Sequence, residues 1–198
     1  MPEYVSLGGN CAIAYNLKKY KKESRRFPFD WCDMSVNKLN NVLENNFKSF
    51  SKIKIKKLSK NHSLIIDNIK TNLIKSDQPS LILSNEFNIK FAHELANKYQ
   101  LADFSQILED RIKRFYELDK PTFIRIETQS KSIEYFQKEY GKLLNNLKKI
   151  YGNFKLILII NIKYCKIQFP DYVTVFYFSI YSSDWRYPNL DWDTIFNE

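Results

Sequence analysis

The chain predicts an α/β fold, one domain over residues 1–198 with a mainly parallel sheet flanked by helices. Three observations lead there. Segments with strand and helix apolar periods alternate along its length, the order that builds parallel β-α-β units. Two late runs, Phe154 to Ile160 and Val173 to Phe178, are almost wholly apolar, as strands covered on both faces are. Near the start, an apolar stretch from Tyr4 runs into Gly8 and Gly9, two of only four glycines, and then into a helix period. At 198 residues, 44% hydrophobic and 16% aromatic, the chain has the length and composition to bury a core.

Taken in order, Tyr4 to Ser6 predicts a short buried strand. A helix follows in which Ile13, Leu17 and Tyr20 share a face and Lys18, Lys19, Lys21 and Lys22 crowd the end, where cations suit the helix dipole. Phe27-Pro28-Phe29-Asp30-Trp31-Cys32 breaks that helix at proline and forms an aromatic loop. A second helix buries Val36, Leu39, Val42, Leu43 and Phe47. Lys52 to Lys56 alternates as a half-buried basic strand would. Between Leu58 and Leu101 only short apolar runs stand out, Leu64 to Ile66 and Leu81 to Leu83. Asp103 with Gln106 reads as a capping pair for a helix burying Phe104, Ile107, Leu108, Ile112 and Phe115. Asp119-Lys120-Pro121 turns into a strand from Thr122 to Glu127. A long helix then carries Ile133, Phe136, Tyr140, Leu143, Leu144, Leu147 and Ile150, and ends near Gly152.

The net charge of +9 is mostly lysine beside abundant asparagine and isoleucine, the mixture an AT-rich genome encodes. It is therefore weak evidence for a nucleic-acid partner, and none is expected. Three cysteines, Cys11, Cys32 and Cys165, cannot all pair within the chain and lack metal-ligand spacing, so neither a metal nor another cofactor is expected. The N-terminus shows no secretion signal, and the longest aliphatic run, Leu156 to Ile160, is too short to span a bilayer. These features predict a protein without a membrane partner, cytoplasmic or intracellular, in a cell or in the host cytoplasm of something that replicates there. The pattern does not specify an oligomeric state.

Chemistry concentrates at Ser6-Leu7-Gly8-Gly9-Asn10-Cys11. A thiol opening a helix meets the unpaired N–H groups of the first turn, whose partial positive charge favours thiolate and lowers the pKa. The same donors, with Gly9 and the Asn10 amide, are placed to hold an oxyanion. The plain alternatives are that Cys11 is a small packed hydrophobe and that Asn10 supports the turn. Cys32 and Cys165 lack this setting. Arg125 interrupts an apolar strand and needs either a structural carboxylate or an anionic substrate group. Glu127 and Asn161 fall at predicted strand ends, where ligand sites of parallel sheets gather.

The block Ser6 to Cys11, a helix, and Pro28-Phe29-Asp30-Trp31 together resemble the uncharacterised domain family of putative papain-like cysteine peptidases. Looser matches are Phe91-Ala92-His93-Glu94, the basic helix with Arg111, Arg114 and Phe115, Phe123-Ile124-Arg125, and Trp185 and Trp192; where the family usually has aspartate after the histidine, Glu94 stands. The resemblance implies a cysteine peptidase-like thiol hydrolase with Cys11 as nucleophile and His93 as general base. His62, in a turn-like Asn61-His62-Ser63, is the competing histidine. Asp30 is the leading group to orient the imidazole, with Phe29 and Trp31 to desolvate it and Trp31 beside the substrate; alternatively Asp30 caps the following turn. A papain-like α+β fold would set the cysteine on a central helix and the histidine on an antiparallel sheet. A nucleophile after strand one of a parallel sheet instead looks like the SGNH-type esterases. The substrate is accordingly a peptide or another acyl compound, with a thiol acyl hydrolase or acyltransferase on a sugar or lipid as the second reading. A non-catalytic anion-binding module is the third, without a phosphate-loop lysine to support it.

Overall fold

The computed structural model describes residues 3–20, 22, 25–57, 81–91, 101–128, 130–179 and 182–197. Eight strands and five α-helices alternate in the order β1 Tyr4–Ser6, α1 Ala12–Lys19, β2 Cys32–Asp33, α2 Val36–Glu44, β3 Ile53–Lys57, β4 Leu81–Asn85, β5 Lys90–Phe91, α3 Leu101–Tyr116, β6 Thr122–Ile126, α4 Ile133–Tyr151, β7 Lys155–Asn161, β8 Val173–Phe178 and α5 Trp192–Ile195 among the described residues. The main sheet is parallel throughout, in the order β1-β6-β7-β8. The α/β class is thus the one found. A second, antiparallel sheet in the order β2-β5-β4-β3 was not foreseen.

Strand alternation divides the core of the parallel sheet. Val5, Phe123, Leu156, Leu158 and Ile160 face the side packed by α2, α3 and α4, where Leu39, Phe104, Phe115 and Tyr140 are buried. Tyr4, Ile124, Ile126, Ile157 and Ile159 face the side closed by α1 and α5, through Ile13, Leu17, Trp192 and Ile195.

Several sequence expectations shift. Phe47 lies beyond α2, which stops at Asn45; its N–H reaches back to the Val42 carbonyl at 3.0 Å, and its backbone is left-handed at φ 58. It is nevertheless buried, stacked on Phe29 at 5.3 Å. Asp103 sits inside the first turn of α3 rather than at its cap, and Gln106 donates forward to Asp110 at 3.1 Å. Ile133 is 42% exposed, because α4 starts there with Ser132 as N-cap, its Oγ accepting from the Tyr135 N–H at 3.2 Å. β8 is an edge strand, so Tyr177 is 40% exposed and only one neighbour covers it. The run Leu64 to Ile66 lies outside the described residues. Among the described residues no helix is long and apolar enough to cross a membrane.

Arg125, on the α2/α4 face of β6, is fully buried. Its Nε donates to Tyr140 Oη at 3.1 Å, one Nη to the Leu7 carbonyl at 2.8 Å, and the other to the Met34 carbonyl at 3.0 Å and to Glu127 Oε2 at 3.3 Å. Tyr140 in turn donates to Glu127 Oε2 at 3.2 Å. Burial disfavours the charge, but Tyr140 and Glu127 outweigh it and hold the guanidinium above the ordinary arginine range. Removing one partner of such a pair strands the other. Arg125→Leu is expected to cost about 3–5 kcal/mol, read as a lowered midpoint in urea unfolding, and Arg125→Lys should recover only part of it because an ammonium cannot span the same fork. A neutral Arg125→Leu would show that the network contributes nothing.

Candidate active site

β1 ends against the carboxyl edge of the parallel sheet, and the next five residues, Leu7 to Cys11, build the turn. The Gly8 N–H donates to Ser6 Oγ at 3.1 Å. Gly9 holds φ 101, and a Cβ added there would lie 1.9 Å from the Ile126 carbonyl oxygen. Only glycine lets the turn press this closely onto the end of β6. Asn10 Oδ1 accepts from the Ala12 N–H at 2.8 Å, and Asn10 Nδ2 donates to the Trp185 carbonyl at 3.5 Å. The side chain therefore ties the helix start to the C-terminal loop.

Cys11 opens α1 with helical backbone, and its carbonyl accepts the first intrahelical bond, from Tyr15 N–H at 3.0 Å. Its Sγ donates to the Trp31 carbonyl at 3.6 Å across twenty residues of sequence. Trp31 is half-buried and holds a left-handed φ of 61, unusual for a bulky side chain and of the kind that gathers at functional sites. The fold thus brings Gly9, Asn10, Cys11 and Trp31 together.

The lowered thiol pKa expected for Cys11 is overturned. Burial and then the Asp33 carboxylate push it up to about 12. The physical reason is local: the first-turn N–H of Ala12 is already spent on Asn10, while the thiol is half-buried and feels the Asp33 charge. Asp33 went unnoticed in the sequence because nothing about a two-residue strand flags it; the signal available was its place two positions after Trp31 in the second motif.

Asp30 is buried, and its Oδ2 accepts from the Phe27 N–H at 2.7 Å while its own N–H donates to the Phe27 carbonyl at 3.3 Å. Both bonds close the turn from Phe27 to Asp30, which precedes Asp30 rather than following it. Phe29 anchors the loop through Phe47, Phe50 and Phe115 at 5.3–5.8 Å. Cys32 is buried with Sγ on the Pro28 and Asp30 carbonyls, and Cys165 is exposed. Arg125 lies beneath the turn, holding the Leu7 carbonyl, so its structural alternative matches the geometry. Glu127 supports Arg125, and Asn161 joins two strand ends by accepting from Lys163 N–H at 3.1 Å and donating to the Ser179 carbonyl at 3.3 Å. Tyr140, which completes the Arg125 network, had looked like one more apolar helix position. His93 and His62 lie outside the described residues. Among the described residues no cluster of three or more His, Cys, Asp and Glu is placed to hold a metal ion.

A family model with the description "Putative papain-like cysteine peptidase (DUF1796)" matches residues 2–163. Trp185 and Trp192 fall beyond that match. The chain is also 27% identical over 140 residues to "Uncharacterized protein R408" of Acanthamoeba polyphaga mimivirus, 63% of this chain and 61% of the relative, so the match spans less than two thirds of the relative's length. No solved structure matches the chain.

Two outcomes follow from the turn. Gly9→Ala should destabilise the protein by about 3 kcal/mol or more, since it adds both a backbone clash and an unfavourable φ; a melting temperature within a degree or so of wild type would contradict this. Cys11 alkylation by iodoacetamide, followed by peptide mapping, should rise roughly tenfold per pH unit through pH 9 and 10 without levelling. A plateau near neutrality would refute a raised pKa. The sign carries to stability: the unfolded thiol loses its proton near the ordinary value of about 8.5 and the folded one only at about 12. The unfolded state is therefore favoured as pH rises across that window, and Cys11→Ala should make the loss shallower.

Proposed function

The chain belongs to the family of putative papain-like cysteine peptidases, and on that footing we propose that it is a thiol hydrolase in which Cys11 attacks an acyl carbon. The observation that carries this reading is the meeting of the two family motifs: the Cys11 sulfur rests on the carbonyl of Trp31, a residue held in a left-handed backbone. A papain-like enzyme sets its cysteine on a helix and its histidine on an antiparallel sheet, and the second sheet of this chain is antiparallel. β5, the strand that pairs Phe91 with Cys32, belongs to that antiparallel sheet. His93 follows Phe91 by two residues, and chain dimensions alone keep two such positions within about 7 Å, Cα to Cα.

A protonated resting thiol defines the order of events. His93 takes the Sγ proton as sulfur bonds to the acyl carbon, rather than beforehand in a standing ion pair. The imidazolium then protonates the leaving amine or alkoxide as its bond to carbon breaks, leaving a thioester. Water, deprotonated by the same imidazole, hydrolyses that thioester and returns the proton to sulfur. The Asp33 charge disfavours a free thiolate at Cys11.

The test uses p-nitrophenyl acetate as acyl donor and intact-mass analysis of the full chain. An acetyl adduct should accumulate on Cys11, vanish in Cys11→Ala, and form about 10²–10⁴ times more slowly in His93→Ala. His62→Ala, Cys32→Ala and Cys165→Ala should leave the rate on Cys11 unchanged. Acetylation confined to Cys165, or a His93→Ala protein as fast as wild type, would remove the proposal.

A further inference from the structure

β8 is the outer strand of the parallel sheet, and among the described residues no strand pairs with its far side. The Leu156 N–H donates to the Tyr172 carbonyl at 2.9 Å, which sets the phase of the ladder. With Leu156 registered on Val173, the even positions from Tyr172 to Phe178 turn their backbone groups to β7, and Val173, Val175 and Tyr177 turn theirs outward. The Val173 N–H is taken by the Pro170 carbonyl at 2.9 Å. The Val173 carbonyl and both backbone groups of Val175 and Tyr177 are therefore presented along the edge.

The side chains of this edge set it apart from the rest of the surface. Residues 167–179 carry one charge, Asp171, in a chain that is 27% charged and bears a net +9. β3, the outer strand of the antiparallel sheet, is the opposite case: Lys54, Lys56 and Lys57 line it, the residues by which natural edges repel a partner strand. Of the large apolar side chains exposed among the described residues, Tyr177 and Ile162 both stand at the carboxyl end of the β8 edge, Ile162 directly after the β7 residue registered on Phe178.

We propose that β8 pairs with β8 of a second copy of the chain, antiparallel, about a two-fold axis through Val175. A two-fold contact requires a surface that complements itself. Here Val175 and the partner's Val175 exchange both of their bonds, and the Tyr177 N–H donates to the partner's Val173 carbonyl. Directly opposed side chains share a face, so the Tyr177 ring lies across the partner's Val173, a favourable aromatic and β-branched pair. The same register sets Asp171 opposite the partner's Ser179, at the end that carries Lys163, and away from the partner's Asp171. Two chains of net charge +9 repel wherever their lysines meet, and the uncharged edge is where copies approach with least repulsion. Both strands are already extended, so nothing has to be ordered on association, as a loose peptide would have to be.

The test is sedimentation velocity of the full-length chain in reductant, which removes disulfides through the exposed Cys165. A reversible dimer is expected within about 1–200 μM, the weak range of a small contact. Tyr177→Lys, at an exposed position, and Val175→Pro, which removes an outward N–H where an edge strand tolerates proline, should each weaken it at least about tenfold with circular dichroism unchanged. Register is read separately. Val175→Cys in a Cys165→Ser background should give, on mild oxidation, a covalent dimer bridged at position 175 of both chains, since opposed Cα atoms on the axis lie about 5.5 Å apart. A monomer throughout that range, a dimer indifferent to both substitutions, or no bridge at position 175 would each overturn the proposal; a monomer is also the result if another segment or another protein takes the edge. β1, which leads to Cys11, is the opposite outer strand of the sheet, so none of these outcomes bears on the thiol chemistry.

Discussion

A single buried cation organises the centre of this protein. Arg125 cannot be left without partners once it is out of water, and the partners it takes come from four parts of the chain: the Leu7 carbonyl at the end of β1, the Met34 carbonyl just past β2, Tyr140 on α4, and Glu127 beyond β6. The glycine turn begins one residue after Leu7, and Trp31 lies three residues before Met34. One guanidinium therefore fixes the distance between the two motifs on either side of the thiol. Lysine would supply the charge without the planar fork that spans these acceptors.

Around that anchor the site is made from backbone more than from side chains. Gly9 brings the turn against the Ile126 carbonyl, and Trp31 offers its own carbonyl to sulfur from a strained conformation. The Gly9 contact involves no titrating group, while the Trp31 carbonyl holds the thiol proton of Cys11. The thiol is consequently quiet at rest: it is desolvated, hydrogen-bonded as a donor and next to Asp33. A thiol kept protonated is protected from adventitious oxidation, which proceeds through thiolate.

Much of the fold was legible because its signals were local. The apolar runs of β6 and β7, the helix periods of α1 and α4, and the glycine at the end of α4 all report structure within their own windows. The antiparallel sheet was not, since β2 and β5 span two residues each and exist through pairing with distant strands. Phe47 carries the apolar period of α2 past the point where the helix stops, so periodicity alone misplaced its backbone while identifying its burial. At the site, the glycines and Cys11 announced themselves by spacing. Asp33 and Tyr140 did not, because their contributions come from neighbours that only tertiary structure supplies. The direction of the Cys11 shift was misread for the same reason: a helix start is visible in sequence, and the burial that opposes it is not.

The pairing of β1 with β6 also governs when the site can exist. Leu7 and Arg125 are separated by 118 residues, and among the described residues β1 pairs with no other strand than β6. During synthesis the N-terminal turn emerges first yet has nothing to close against until β6 leaves the ribosome. Long-range closure of this kind is slow and comes late. The thiol is thus chemically ordinary until β6 has been made, and the same contact that joins β1 to the sheet switches its surroundings from solvent to protein.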